Sequence, residues 1–130
     1  MRIREREMQA VILLDAPARF EYFLKLVADR GELWVLCGWK GRTVAMATTC
    51  GRLVYPVWPA VEYAELLAKG HFASFTAYPS SLDTFLEFRI PALVDQNHLV
   101  GVFPTPRNRA VAIEPMELAE ALKHEAEKYE

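Results

Sequence analysis

Reactive residues are scarce in this chain. Its 130 residues include two cysteines and three histidines. Cys37 and Cys50 do not form a Cys-x-x-Cys pair, and no His-Glu-x-x-His run is present, so neither common zinc signature applies. There is no glycine-rich phosphate loop and no Gly-x-Ser-x-Gly elbow. No cofactor is implied, and no residue is assigned a catalytic or metal-ligating role. Net charge is also small, at -2, which argues against a dedicated nucleic-acid binder. No apolar run approaches the roughly 20 residues that span a bilayer. Met1–Glu7 is mixed in charge, and the apolar stretch Ala10–Leu14 is too short for a secretory signal. The chain therefore reads as cytoplasmic, with its cysteines as thiols.

What is present is a well-punctuated globular pattern, 52% hydrophobic and 25% charged. Residues 1–9 read as a charged, frayed lead-in, with Met8 as an alternative start. Asp15 or Ala16 caps a helix that Pro17 opens and Gly31 stops. Phe20, Phe23, Leu24 and Val27 form its apolar stripe. Leu33–Cys37 reads as a buried strand. Arg42–Thr48 and Arg52–Val57 follow after short turns, which predicts an antiparallel meander. Trp58-Pro59 opens a second helix ending at Gly70. His71–Ala77 is a fourth strand, and Pro79-Ser80-Ser81 breaks the chain. One of these serines caps a third helix that Pro91 should kink or end. His98–Phe103 and Arg109–Ile113 are the last strands. Glu114-Pro115 starts the final helix, whose buried face includes Leu118 and Leu122. The order is α-βββ-α-β-α-ββ-α. It predicts a single α+β domain with a mixed, mostly antiparallel sheet and packed helices, and one parallel crossover where the second and third helices return to the sheet.

Candidate binding residues are aromatic or cationic. Trp39 lies in a Gly-Trp-Lys-Gly turn. Trp58 sits between a strand and a proline, where it serves either as a recognition surface or as a hydrophobic staple for the second helix. Tyr63 and His71 flank the same region. Arg107 and Arg109 lie on a proline-stiffened loop that either holds an anion or simply connects two strands. His98 opens a strand, where it reads either as an acid/base group or as a solvated strand end. The glutamates of the last helix form either a solvated face or a surface for a basic partner.

Several ordered segments together resemble the bacterial family known as domain of unknown function 2750. They are Arg19–Phe23, Leu33–Leu36, Tyr55–Pro59, Tyr63-Ala64 and Val102–Pro106. The Leu53–Leu122 portion also has a weaker similarity to the SseB-type N-terminal domain. The resemblance implies a bacterial cytoplasmic protein and transfers no catalytic residue. Three functional readings follow. The leading one is a non-enzymatic interaction module, of immunity or adaptor type. The second is a small-ligand binder or small enzyme, with a pocket between the sheet and the second helix lined by Trp58, Tyr63, His71 and Arg107. The third is an obligate homodimer closed by exposed aromatics.

Overall fold

The computed structural model describes residues 3–38, 46–47, 51–68, 74–106 and 109–128, with the backbone alone at 46–47. Its elements are α1 (Glu5–Val11), α2 (Ala16–Arg30), β1 (Glu32–Cys37), β2 (Met46–Ala47), β3 (Leu53–Val57), α3 (Val61–Leu67) and β4 (Thr76–Ser81). There follow α4 (Leu82–Thr84), a π-helical turn (Phe85–Arg89), α5 (Ile90–Asp95), β5 (Leu99–Val102), β6 (Val111–Ile113) and α6 (Pro115–Glu127). The α+β class and the mixed sheet agree with the sequence pattern.

The second helix, α2, starts and stops as its residues require. Asp15 Oδ1 accepts the Ala18 N–H at 3.0 Å, satisfying one of the donors that a helix start leaves open. Gly31 turns the chain into the left-handed region at φ 70° and sends its N–H to Val27 O. Phe23 and Val27 are fully buried. α2 packs on α6, which in turn packs on α5 and β5.

Residues 3–9 are not part of a frayed lead-in, and residues 1–2 lie outside the described residues. Glu5–Val11 is helical, with Ile3 and Val11 buried in the main core. Mixed charge hid this helix, although Met8, Val11 and Ile12 turn one apolar stripe toward the core.

The predicted meander holds for its second pair, since β2 pairs antiparallel with β3, but not for its first: among the described residues β1 lies in a separate sheet. β1 pairs antiparallel with β4, from Glu32↔Ser81 to Cys37↔Thr76. The other sheet has the order β2-β3-β5-β6, with β3 and β5 parallel as the crossover required. One antiparallel bridge, Trp34↔Trp58, joins the sheets, with N–H···O distances of 2.8 and 2.9 Å. Continuing that register would place Leu36 opposite Pro56. Proline has no N–H to extend the ladder, so β1 leaves β3 after one rung, while its opposite edge pairs with β4 along its whole length. On the other side of β3, Pro56 faces Gly101 of β5. A side chain at Gly101 would collide with Val54 and crowd Ala110, so only glycine fits this crossing.

Two further proline readings change. Pro79 lies within β4, whose outer edge has no strand partner among the described residues; an edge position tolerates the missing donor. Of the two effects expected of Pro91, a kink or an end, the end does not occur. The turn before it widens to π geometry, with Ile90 N–H donating to Phe85 O, and α5 continues beyond. A π-bulge is one of the few ways a helical stretch can accommodate such an insertion. The predicted strand His71–Ala77 is shifted to Thr76–Ser81, and residues 71–73 lie outside the described residues. The expected serine cap is present, and Ser81 is the serine that provides it, since its Oγ accepts the Thr84 N–H.

Among the described residues Arg19 is the most deeply buried charged side chain, at 2% exposure. Its guanidinium donates to three carbonyls: Phe103 O from Nε at 3.0 Å, Leu14 O from Nη1 at 3.2 Å and Arg109 O from Nη2 at 2.9 Å. Burial pulls its pKa below the ordinary arginine value, and Asp15 partly opposes that shift. The planar fork reaches three separate backbone segments at once, which a lysine cannot do. Arg19→Met is expected to destabilise the fold by about 2–4 kcal/mol, because it strands buried carbonyls. Arg19→Lys should recover only part of that. Urea unfolding checks both, and equal stability of Arg19→Met and wild type would refute the assignment.

Candidate functional site

Two groups of side chains stand out, and they differ in character. The first is a buried knot around Phe103. Phe103 adopts φ 54°, which is unusual for a bulky residue and costs about 1–3 kcal/mol unless its surroundings enforce it. The enforcement is visible. Its N–H donates to Val57 O at 2.8 Å, and its carbonyl accepts from Arg19. Its ring lies 4.8 Å from the Tyr63 ring and 6.1 Å from that of Tyr22. One residue on, Pro104 O accepts the Trp58 Nε1–H at 2.8 Å.

A hydrogen-bonded chain leads out from this knot. Tyr63 and Tyr22 hydroxyls are 2.8 Å apart, and Tyr22 donates to Glu7 Oε2 at 2.6 Å. Tyr22 spends its only proton on Glu7, so Tyr63 donates to Tyr22. Burial pushes the Tyr22 hydroxyl far above its usual value, and its bond to Glu7 adds to this. Burial likewise pushes Tyr63 up to about 12.

A raised folded-state pKa means that the neutral phenol is what the fold stabilises. That contribution is complete below about pH 10, the unfolded tyrosine value, and is lost as pH rises through about 12. Wild-type stability should therefore fall between pH 10 and 12, and Tyr63→Phe should flatten that fall. Unfolding midpoints measured across the range test it; identical slopes in both proteins would refute the burial of the pair.

The second group lines a cleft of about 900 Å³ between the N-terminal segment, α2, β1 and α3. Local periodicity brings its residues together. Leu26, Asp29 and Arg30 form a stripe at i, i+3, i+4 on α2. Glu32 and Trp34 alternate onto one face of β1, and Trp34 Nε1 donates to Glu32 Oε2 at 2.8 Å. Val61, Glu62 and Glu65 come from α3, and Ile3, Arg4 and Glu7 from the N-terminal segment. Five carboxylates thus line the cleft against two guanidiniums, with Trp34, Leu26 and Val61 supplying apolar wall. A concave surface of one dominant sign focuses its field on ions of opposite charge. The lining contains no cysteine, serine, threonine, histidine or lysine.

The candidate residues read from sequence distribute unevenly over these two groups. Trp39, His71 and Arg107 lie outside the described residues. Trp58 and Tyr63 are at 0% and 1% exposure, so they belong to the core rather than to a recognition surface. For Trp58 the packing alternative is the one that its indole bond to Pro104 supports. Arg109 is exposed, and its backbone carbonyl serves Arg19. The cleft does border the second predicted helix, as the pocket reading required, but Val61, Glu62 and Glu65 line it in place of Trp58 and Tyr63. Its acids gave no sequence signal, because they are spread over four elements.

The remaining reactive groups are placed as follows. Cys37 is partly buried, which pushes its thiol pKa up, with Arg89 acting in the opposite direction; Cys50 lies outside the described residues. His98 is half-buried at the entry to β5, its carbonyl accepting a long bond from Arg52. Among the described residues no group of three or more His, Cys, Asp or Glu side chains could hold a metal ion. On α6, Glu114 pairs with Arg52, which holds its carboxyl below the usual range, and Glu125 is buried beside Lys128. No helix among the described residues is long and apolar enough to cross a membrane.

A two-sheet α+β fold, sealed by an aromatic and arginine knot and carrying an acidic cleft, is thus the class of protein that the coordinates define. Within that class, the chain belongs to the family described as protein of unknown function (DUF2750), whose model matches residues 20–122. No curated protein matches the chain.

Proposed function

We propose that the protein is a non-enzymatic interaction module that receives a basic segment of a partner protein in the acidic cleft. The observation that carries this reading is the lining itself: five carboxylates and an indole around about 900 Å³, with no cysteine, serine, threonine, histidine or lysine among them. The size exceeds the roughly 300 Å³ at which pockets begin to hold a ligand. An arginine or lysine side chain suits both parts of the surface. Its aliphatic stem packs on Trp34, Leu26 and Val61, and its head group faces carboxylates. Arginine adds the option of stacking on the indole.

A small cationic metabolite is the second reading, favoured by the volume of the cleft, about 900 Å³, which lies in the range of small-molecule sites. Calorimetric titration separates the two. A short arginine-rich peptide should bind, with affinity falling as salt rises, and an acidic peptide of equal length should not. Asp29 and Glu65 are exposed, so Asp29→Asn and Glu65→Gln should each weaken binding about two- to fivefold without unfolding the chain. Binding of spermidine but not of the peptide would favour the metabolite reading. Binding of neither, or affinity unchanged by both substitutions, would refute the cleft as a cation site.

A further inference from the structure

Trp34 is held in the cleft wall by three hydrogen bonds. Its backbone N–H and C=O form the bridge to Trp58 at 2.8 and 2.9 Å, and its indole Nε1–H donates to Glu32 Oε2 at 2.8 Å. Leu33 and Val35, on either side of it in sequence, are buried in the core. The alternation of β1 therefore turns Glu32 and Trp34 together toward the cleft. The bond to Glu32 uses the only polar group of the indole and sets a carboxylate at the Nε1 edge of the ring. What the ring has left to offer a ligand is its apolar, electron-rich face.

The five acids of the cleft are not equivalent. Glu7 accepts from the Tyr22 hydroxyl, and Glu62 accepts from the Ile3 N–H at 3.1 Å. Asp29 and Glu65 are exposed, so water and salt screen their attraction for a cation. Glu32 is half-buried and borders an aromatic ring that is itself half-buried. A carboxylate has about four lone-pair sites, so the indole bond leaves Glu32 able to accept more. A cation that pairs with Glu32 meets the ring as well.

The two cationic head groups of proteins use such a pair differently. An ammonium is a compact, strongly hydrated point charge that any carboxylate satisfies. A guanidinium is planar and weakly hydrated. It lies flat on an aromatic face while its N–H edge reaches an acceptor beside the ring. We infer that Trp34 makes the cleft selective for guanidinium over ammonium groups, with Glu32 as the carboxylate that the stacked guanidinium meets. The inference rests on the cation reading of the cleft and deepens it by naming the head group and the residue that selects it. The exposed acids add attraction for any cation and do not discriminate.

The test titrates the full chain calorimetrically with hexa-arginine and with hexa-lysine, which are equal in length and charge. Wild type should bind hexa-arginine about fivefold more tightly. Trp34→Leu keeps an apolar side chain and the backbone bridge. It should weaken hexa-arginine about fivefold and change hexa-lysine by less than about twofold, so that the preference disappears. Trp34→Phe keeps a ring without the N–H and should retain part of the preference. Asp29→Asn should weaken both peptides to the same degree. Thermal unfolding checks that each variant is folded, and Trp34→Phe carries the comparison if Trp34→Leu is not. Equal binding of the two peptides to wild type, or a preference undiminished in the folded Trp34 variants, would overturn the selectivity and leave the cleft a cation site. Binding of neither peptide would overturn the cleft reading and the selectivity together.

Discussion

Two adjacent carbonyls, those of Phe103 and Pro104, are each claimed by a buried side-chain donor, and the rest of the fold is arranged around that constraint. Arg19 reaches the first from α2, and Trp58 reaches the second from the end of β3. The same tryptophan carries the backbone bridge to Trp34 that joins the two sheets. An arginine in this position is fully effective only if its whole fork is satisfied, because a buried charge without partners costs several kcal/mol. Leu14, Phe103 and Arg109 supply the three acceptors. The loop after β5, the turn before α2 and the entry to β6 are therefore fixed relative to one another by one side chain. The strained backbone at Phe103 is the local consequence of meeting these demands together.

This arrangement separates scaffold from surface. The segments that carried the family resemblance, Arg19–Phe23, Leu33–Leu36, Tyr55–Pro59, Tyr63-Ala64 and Val102–Pro106, converge on the knot. Their aromatic and proline content is explained there by packing and by buried hydrogen bonds. The acidic cleft is built from different residues of the same elements, on the faces pointing away. Trp34 belongs to both: its backbone makes the inter-sheet bridge, and its indole, bonded to Glu32, forms part of the cleft wall. The Glu7–Tyr22–Tyr63 chain is the second connection, running from the cleft rim to the Phe103 ring.

Much of the fold was legible in the sequence because its punctuation is local. Asp15, Gly31, Ser81 and Pro115 mark helix ends through backbone chemistry that needs no tertiary context, and α2 spans the predicted residues. Sheet pairing was less legible, since it depends on which strand edge offers donors. Pro56 ends the β1–β3 ladder, and that effect is visible only once the register is known. The helix Glu5–Val11 was missed because its apolar stripe, Met8, Val11 and Ile12, is short and lies among charged residues. The candidate site was legible only in its location beside the second predicted helix. Trp58 and Tyr63 drew attention as large aromatics, and large aromatics are also what a core consumes. The cleft acids sit at positions 7, 29, 32, 62 and 65, where each alone reads as ordinary surface charge.

The separation of scaffold from binding surface is most directly tested by backbone amide shift mapping during titration with an arginine-rich peptide. The account predicts perturbations concentrated at Leu26, Asp29, Glu32, Trp34 and Glu65, with Phe103 and Thr105 unmoved. The main competing acidic surface is the exposed face of α6, at Glu117, Glu120 and Glu127. Perturbations centred there, with the cleft amides silent, would contradict the account.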